Sequence, residues 1–213
     1  MSEELQLKIE EFLLKNGSKG KVSELVPLTG GASAETWSFT FSNKNKSERM
    51  ILRRGSGKKS PLAVLKSEEA VIQQKVKSSG APVPTIVAIS SGDKDLGDAY
   101  LMGLIPGESI ARKILRDKKF SEARQKLAFQ CGEALAKIHS VNLNDFDQVP
   151  KKPIREELKR LYLTYRSFEQ PLPVFEYAFK WLDKQDFTTR NDALVHGDFR
   201  LGNLMIDESG LAA

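Results

Sequence analysis

The hydrophobic pattern of this 213-residue chain changes type at Pro106-Gly107, and this change constrains the fold more than any other feature. Before it, apolar and polar residues alternate in stretches such as "ETWSFTF", which is the two-residue period of a half-buried strand. After it, apolar residues recur every three or four positions, as in "EARQKLAFQCGEALAKIHSV", which indicates an amphipathic helix. The pattern predicts an α+β protein with two lobes, residues 1-104 and 105-213, and a ligand cleft between them.

The first lobe is predicted to be a small antiparallel sheet with one helix inserted in it. Polar turns separate strands expected over "ETWSFTF", "RMILRR", "TIVAIS" and "AYLMGLI". A helix near Glu3–Lys15 precedes the sheet and ends at Asn16-Gly17. The inserted helix is expected from about Pro61 to Ser78, with Gly80 as its stop. The second lobe adds helices over "EARQKLAFQCGEALAKIHSV", around Ile154–Phe168 and around Val174–Lys184.

Composition excludes several classes of protein. Hydrophobic residues make up 40% and charged residues 29% of the chain, which is typical of a globular protein, and no apolar run approaches the roughly 18–20 residues of a membrane span. The N-terminus lacks the features of a secretory signal or a transit peptide, and the single cysteine, Cys131, excludes an intrachain disulfide, so a cytoplasmic location is expected. One cysteine and two histidines are too few for a structural zinc site.

The net charge of +5 comes from basic residues scattered along the chain. Such scattering indicates solvated faces or a favourable field for an anionic substrate. No basic stripe is interleaved with aromatic residues, so a nucleic-acid-binding protein is a weak alternative. Neither nucleic acid nor a membrane is therefore an expected partner, and the oligomeric state is left open.

The stretch "LVHGDFRLGNLMID" places three chemically active side chains between two apolar runs. His196, Asp198 and Asn203 have the spacing H-x-D-x-x-x-x-N, which is the spacing of a kinase catalytic loop. A hydroxyl that attacks a phosphate must be oriented and must lose its proton to a carboxylate, while an amide oxygen can help to hold the metal ion that bridges the phosphates. The alternative is a polar turn between two strands.

This loop, over residues 194-207, resembles that of the aminoglycoside phosphotransferase and choline kinase superfamily, which has a protein-kinase-like fold. Its amino-acid sequence is most similar to that of the phosphotransferase modules sometimes fused to acyl-CoA dehydrogenases. The resemblance implies transfer of the γ-phosphate of ATP, with Mg²⁺, to a hydroxyl of a small molecule. It implies that Asp198 orients and deprotonates the hydroxyl, that His196 orders the loop by hydrogen bonding, and that Asn203 holds the metal ion.

The resemblance extends over the rest of the chain in the same order. Arg53 in "MILRR" has the position of the phosphate-contacting base, and Glu68 in "SEEAVIQQ", or as second choice Glu69, is expected to pair with it. The hinge segment 102–105 is where adenine would lie. The remaining residues implied to bind nucleotide are Gly30, Gly31 and Ser33 in "LTGGASAETWSFTF" and Met102 and Leu104 in the hinge.

The end of the chain raises a separate expectation. After "LMID", the residues "ESG" indicate a tight turn and "LAA" indicates the start of a return strand. The resemblance implies a metal-binding Asp on that return strand, and Asp207 precedes the turn. The chain is therefore expected to be a fragment, with an incomplete second lobe and doubtful activity of its own. A nucleotide-binding pseudoenzyme or regulatory module is the alternative function, and the acceptor hydroxyl is not identified.

Overall fold

The computed structural model describes residues 2–28, 34–55, 64–93, 96–146, 153–188 and 192–213. The chain divides into two compact units, one comprising Met1–Asp145 and Leu194–Ala213 and the other comprising Phe146–Ala193. The first unit contains the sheet and the candidate catalytic loop. The division of the chain at residues 104 and 105 stays a prediction.

The first unit is built on a five-stranded antiparallel sheet with the order β1-β2-β3-β5-β4. The pairing of β3 with β5 places Arg53 opposite Tyr100. The hairpin between β2 and β3 turns at Asn43, whose Oδ1 accepts hydrogen bonds from the backbone N–H groups of Asn45 and Lys46 at 2.9 Å each. The strands are β1 (Lys21–Pro27), β2 (Ala34–Ser42), β3 (Ser47–Gly55), β4 (Ile86–Asp93) and β5 (Gly97–Gly103).

Helix α1 (Ser2–Lys15) packs its apolar side on this sheet. Ile9 and Leu13 are fully buried in one cluster with Phe39 and Phe41 of β2, and Trp37 is partly buried against the same cluster. The alternation in β2 therefore places its aromatic residues on the core side, as the sequence predicts. Helix α1 ends near Gly17, which has a φ of +83°, a conformation that favours glycine.

Helix α2 (Lys66–Ser78) is inserted between β3 and β4. It begins later than expected, because Val64 and Leu65 are not helical, while residues 61–63 lie outside the described part of the chain. Its last turn is followed by Gly80, whose φ is +82°. Its buried residues are Lys66, Ala70 and Val76, whereas Leu65, just before the helix, is exposed.

Two helices of the first unit pack against residues near the end of the chain. Helix α3 (Ala111–Arg116) and helix α4 (Ser121–His139) contribute Ile114 and Ala123 to a cluster that also contains Leu204 and Ile206. Cys131 of α4 packs against this cluster, and burial raises the pKa of its thiol, which disfavours the reactive thiolate.

Backbone hydrogen bonds of Ile206 connect the segment that follows β5 to the segment that follows the candidate catalytic loop. Glu108 N donates to Ile206 O at 2.8 Å, and Ile206 N donates to Glu108 O at 3.0 Å. A Cβ on Gly107 would lie 3.1 Å from Ile206 O, so glycine allows this close approach of two backbones. The expected return strand is present as a short hairpin, in which Met205 N donates to Ala213 O at 2.7 Å and Asp207 N donates to Gly210 O at 3.0 Å.

Gly210 provides a test of this hairpin. Its φ of +143° favours glycine, and a Cβ there would overlap the amide of Gln130, whose Oε1 accepts a hydrogen bond from Leu211 N at 2.9 Å. We expect Gly210→Ala to lower the free energy of unfolding by roughly 1–3 kcal/mol, measured by urea denaturation. The matched control is Gly132→Ala in α4, where a Cβ meets nothing within 4 Å. This control should raise stability by about 0.5–1 kcal/mol, and equal effects of the two substitutions would contradict the prediction.

The second unit contains two helices, α5 (Ile154–Ser167) and α6 (Pro173–Asp183). Their aromatic side chains meet, with the rings of Tyr162 and Phe179 edge to face at a centroid distance of 5.1 Å. Arg155 Nη1 donates to the carbonyl of Asp183 at 2.7 Å and ties the two helices together. None of the helices in the described ranges is long and apolar enough to span a membrane.

Candidate active site

The loop at 196–203 brings its predicted acid and amide into direct contact. Asn203 Nδ2 donates to Asp198 Oδ2 at 2.7 Å and to the carbonyl oxygen of Asp198 at 2.9 Å. A 3₁₀ turn at Leu201–Asn203 returns the chain towards Asp198, so that the five-residue spacing becomes a single hydrogen-bonded group. Phe199 and Leu201 pack against the cluster formed by α3, α4 and Ile206, which fixes the loop to the helical part of the unit.

His196 and Gly197 shape the loop. His196 Nδ1 accepts a hydrogen bond from Asp198 N at 3.3 Å, and its ring meets that of Phe199 edge to face at 5.4 Å. Gly197 has a φ of +80°, which a residue with a side chain would adopt only with strain. The role of His196 in ordering the loop stays a prediction.

The carboxylate of Asp198 is surrounded by donors. The hydrogen bond from Asn203 has the largest effect and lowers the pKa of Asp198 below its ordinary value of 3.8. Burial has the next largest effect and opposes it, while the charge and the hydrogen bond of Arg200 lower the pKa further. Arg200 Nε lies 3.2 Å from Asp198 Oδ1, and both side chains are more than 60% exposed, so this ion pair adds little stability. Asp198 is therefore an ionised acceptor at neutral pH.

A second group of charged side chains forms around Arg53 of β3. Arg53 Nη1 lies 2.8 Å from Glu69 Oε1 on α2. The first choice of partner, Glu68, was therefore wrong, and the second choice is the residue that pairs. Glu68 turns back along the helix, and its Oε2 accepts a hydrogen bond from Leu65 N at 3.3 Å.

Glu69 is the centre of a partly buried network. It also forms an ion pair with Lys66 and accepts a hydrogen bond from Tyr100 Oη at 2.7 Å. Burial alone would raise the pKa of Glu69, but the charges of Arg53 and Lys66 and the hydrogen bonds outweigh burial, and the pKa is lowered. Burial and the negative charge of Glu69 raise the pKa of Tyr100, so this hydroxyl stays a donor.

Of the two predicted hinge residues, Met102 lies in the last part of β5 and Leu104 directly follows this strand. Met102 pairs with Ile51 on β3 and with Ile86 on β4, and its side chain is partly buried. Leu104 N donates to Arg49 O at 3.1 Å, which fastens the hinge to β3. That bond uses the Leu104 N–H, so a nucleotide base at the hinge would have to find other donors. The assignment of adenine to this segment stays a prediction.

Three of the predicted nucleotide-binding residues, Gly30, Gly31 and Ser33, lie outside the described residues. Among those described, the charged and polar site residues form two groups, namely the loop around Asp198 and the network around Arg53, while Met102 and Leu104 lie apart from both in sequence at the hinge. Sequence reasoning missed Lys66 and Tyr100 as partners of Glu69. The helical spacing of Lys66 and Glu69 is a signal that both share one face of α2, whereas Tyr100 is revealed only by the pairing of β3 with β5.

The oxygen donors of the loop fit a magnesium ion only when substrate phosphates also coordinate that ion. A carboxylate can only accept hydrogen bonds, so the amide nitrogen of Asn203 faces Asp198 and leaves Oδ1 as the atom available to a metal. The described residues contain no group of three or more His, Cys, Asp or Glu side chains that could hold a metal ion. Magnesium is usually held by one or two carboxylates together with substrate phosphates. The oxygen donors of the loop match this arrangement, in which substrate phosphates supply the remaining ligands.

Comparison with solved structures supports the fold. The chain is similar to the GDP complex of wild-type aminoglycoside 2'-phosphotransferase-IIIa, with a TM-score of 0.64 and 15% identity, over 97% of this chain and 70% of that one. It is also similar to spectinomycin phosphotransferase APH(9)-Ia in complex with ADP and spectinomycin, with 16% identity over 94% of this chain and 64% of that one, although the TM-score of 0.47 is too low to support an argument. The predicted α+β, protein-kinase-like fold is confirmed by the first similarity.

Comparison of sequences identifies the family. The chain is 28% identical over 199 residues to acyl-CoA dehydrogenase family member 10 of Mus musculus, which covers 91% of this chain and 18% of that protein. The chain therefore spans less than a fifth of the length of this curated relative. The model of the phosphotransferase enzyme family matches residues 24–213, which include both groups of site residues. The chain belongs to the phosphotransferase enzyme family.

Proposed function

We propose that this chain provides the machinery for transferring the γ-phosphate of ATP to a hydroxyl of a small molecule. The observation that carries the proposal is the contact between Asp198 and Asn203 in a loop of matching spacing, within a chain of the phosphotransferase family. The network around Arg53 supports it, because a guanidinium held by a partly buried carboxylate is suited to bind phosphate.

In the proposed reaction the hydroxyl oxygen of the acceptor attacks the γ-phosphorus of ATP. The bond from that phosphorus to the β,γ-bridging oxygen breaks, ADP leaves, and the hydroxyl proton passes to the Asp198 carboxylate. The lowered pKa of Asp198 makes it a weak base, so its main contribution is to orient the hydroxyl and to receive the proton late. His196 keeps the loop in shape by accepting from the Asp198 N–H.

Two other residues act on the phosphates. Arg53 neutralises negative charge on the nucleotide, and Glu69 fixes the direction of its guanidinium. Asn203 Oδ1 would hold a magnesium ion, which supplies further neutralisation of phosphate charge when it is bound. Both groups of residues, the network around Arg53 and the loop around Asp198, would therefore reduce the electrostatic repulsion between the nucleotide and the acceptor.

The acceptor class is proposed from charge and from the curated relative. A net charge of +5 favours an anionic acceptor over a cationic aminoglycoside. Among the acceptors open to the family, the similarity to an acyl-CoA dehydrogenase family member favours the hydroxyl of a hydroxyacyl thioester. The test is transfer of radiolabelled phosphate from ATP to a panel of choline, sugars, aminoglycosides and hydroxyacyl thioesters. Labelling of an aminoglycoside alone would contradict the proposed acceptor.

A nucleotide-binding module without transfer activity is the second candidate. It would use the same nucleotide-binding residues as the first candidate and would differ from it only in that no phosphate is transferred. Calorimetric titration with ADP and with ATP separates the two candidates when it is combined with the transfer assay. Binding without transfer to any acceptor, in the full-length protein, would favour the module.

The pH dependence of Asp198 follows from its surroundings. Because the donors of Asn203 and Arg200 lower its pKa below 3.8, the carboxylate is fully ionised from about pH 8 down to about pH 5. We expect an NMR titration of the Asp198 carboxyl carbon to show its midpoint below pH 3.8. Arg200→Ala should move this midpoint upwards, because a nearby positive charge is removed. A wild-type midpoint above the ordinary value would contradict the proposed role of the surrounding donors.

A further inference from the structure

Helix α2 begins without a capping side chain of its own. Leu65 precedes its first residue and has no oxygen that could accept from the free N–H groups of the first turn. Asp98, at the start of β5, supplies this acceptor from 32 residues away. Its Oδ2 accepts from Lys66 N at 2.7 Å, and its Oδ1 accepts from Ser67 N at 2.8 Å and from Ser67 Oγ at 2.9 Å.

The same strand holds the same helix at a second point. Tyr100 lies two residues after Asp98, so the two side chains project from one face of β5. Its hydroxyl donates to Glu69 Oε1 at 2.7 Å and accepts from Gln73 Nε2 at 3.0 Å. Asp98 therefore fixes where α2 begins, while Tyr100 fixes the rotation that points Glu69 at β3.

The ion pair between Arg53 and Glu69 depends on this placement. Each residue advances an α-helix by about 1.5 Å, so a slip of α2 by one residue would lengthen a 2.8 Å ion pair beyond hydrogen-bonding distance. The Asp98 carboxylate opposes such a slip with three hydrogen bonds. Its charge also interacts favourably with the positive end of the helix dipole.

We propose that Asp98 is a positioning residue for phosphate binding, which acts through α2 and Glu69 to hold Arg53 in the direction that a nucleotide requires. This inference rests on the proposed function, since it assigns Arg53 to the nucleotide phosphates. It adds that α2 is fixed to β5 by a side chain, so that the charged network is formed before the nucleotide binds. Preorganisation of this kind raises affinity by removing the cost of ordering the site.

The experiment compares the nucleotide affinity of wild type with that of three single variants. We expect Asp98→Ala to raise the Kd for ATP about tenfold, as measured by calorimetry, because Arg53 is then no longer held in its binding direction before the nucleotide arrives. Asp98→Asn should give an intermediate Kd, because an amide oxygen can replace one acceptor but not both. The matched control is Glu35→Ala, which removes an exposed strand carboxylate paired with Arg54 at 2.6 Å and should leave the Kd unchanged.

A double-mutant cycle separates positioning from general destabilisation. In the Glu69→Gln background, Asp98→Ala should weaken ATP binding by less than about twofold, because the connection to Arg53 is already broken. Equal losses in both backgrounds would overturn the inference. Should Asp98→Ala fail to fold, Asp98→Asn is used in the same cycle.

The outcome for wild type distinguishes the two proposals. A wild-type chain that does not bind ATP would remove the proposed function, whatever the variants do. A wild-type chain that binds ATP, with an unchanged Kd in Asp98→Ala and Asp98→Asn, would remove the positioning role of Asp98 and leave the proposed function standing.

Discussion

Replacing Asp198 by Asn is expected to lower the rate of the proposed phosphate transfer by roughly 10²- to 10⁴-fold, which is the usual effect of removing a positioned base. The carboxylate is exposed in the loop and already ionised, so it is able to accept a hydrogen bond from an incoming hydroxyl. An asparagine at this position still accepts from Asn203 Nδ2, so the loop keeps its shape. Nucleotide affinity should stay within about twofold of wild type, because the substitution removes an interaction of the transition state.

The matched control is Asp207→Asn in the hairpin that follows the loop. Asp207 Oδ1 accepts from Ser209 N at 2.7 Å and from Gly210 N at 3.0 Å, and an asparagine oxygen can make the same bonds. Turnover should therefore be unchanged in the control. The measurement is the steady-state rate of ADP formation in the presence of acceptor. If Asp198→Asn retains near-normal turnover, the base is another residue.

Replacing Glu69 by Gln weakens nucleotide binding and lowers the free energy of unfolding by roughly 1–3 kcal/mol. The substitution leaves Arg53 and Lys66 side by side without the carboxylate that lies between them. The pKa of Glu69 is lowered from 4.5 in the folded chain, so its stabilising effect is complete above that pH and is lost as the pH falls through the lowered value. The variant should lack this part of the acid dependence.

Glu68→Gln is the control for Glu69→Gln, since it changes the neighbouring residue of the same helix in the same way. Its side chain accepts one backbone hydrogen bond at the helix start, so we expect a stability change within about 0.5 kcal/mol and no change in the Kd for ATP. Urea denaturation and calorimetry measure both quantities. A larger loss of ATP affinity in Glu68→Gln than in Glu69→Gln would restore the original assignment.

The fold could be predicted from the sequence because burial in most elements follows a clear period. The alternation in β2 predicted Phe39 and Phe41 as core residues, and both are buried. Strand β1 was missed because only one of its seven residues, Val22, is buried, and an edge strand of this kind carries no alternating signal. The start of α2 was placed too early because its cap comes from Asp98, which is distant in sequence.

The site could be predicted only as far as it is local in sequence. The contact of Asp198 with Asn203 is closed within six residues, and the spacing alone indicates it. The choice between Glu68 and Glu69 depends on the rotation of α2, which Tyr100 determines from another strand. The side chains of adjacent helical residues point in directions about 100° apart around the helix axis, and a short sequence motif does not indicate which of them faces β3.

The ladder between Glu108 and Ile206 has a mechanical consequence. It couples the segment that follows β5 to the segment that follows the candidate catalytic loop. In addition, Leu104 N donates a hydrogen bond to Arg49 O on β3. Any swing of the sheet relative to the loop must therefore pivot on the three residues left between these anchors, Ile105, Pro106 and Gly107. The proline ring fixes the φ of Pro106, so the motion is concentrated in the remaining backbone torsions of this segment.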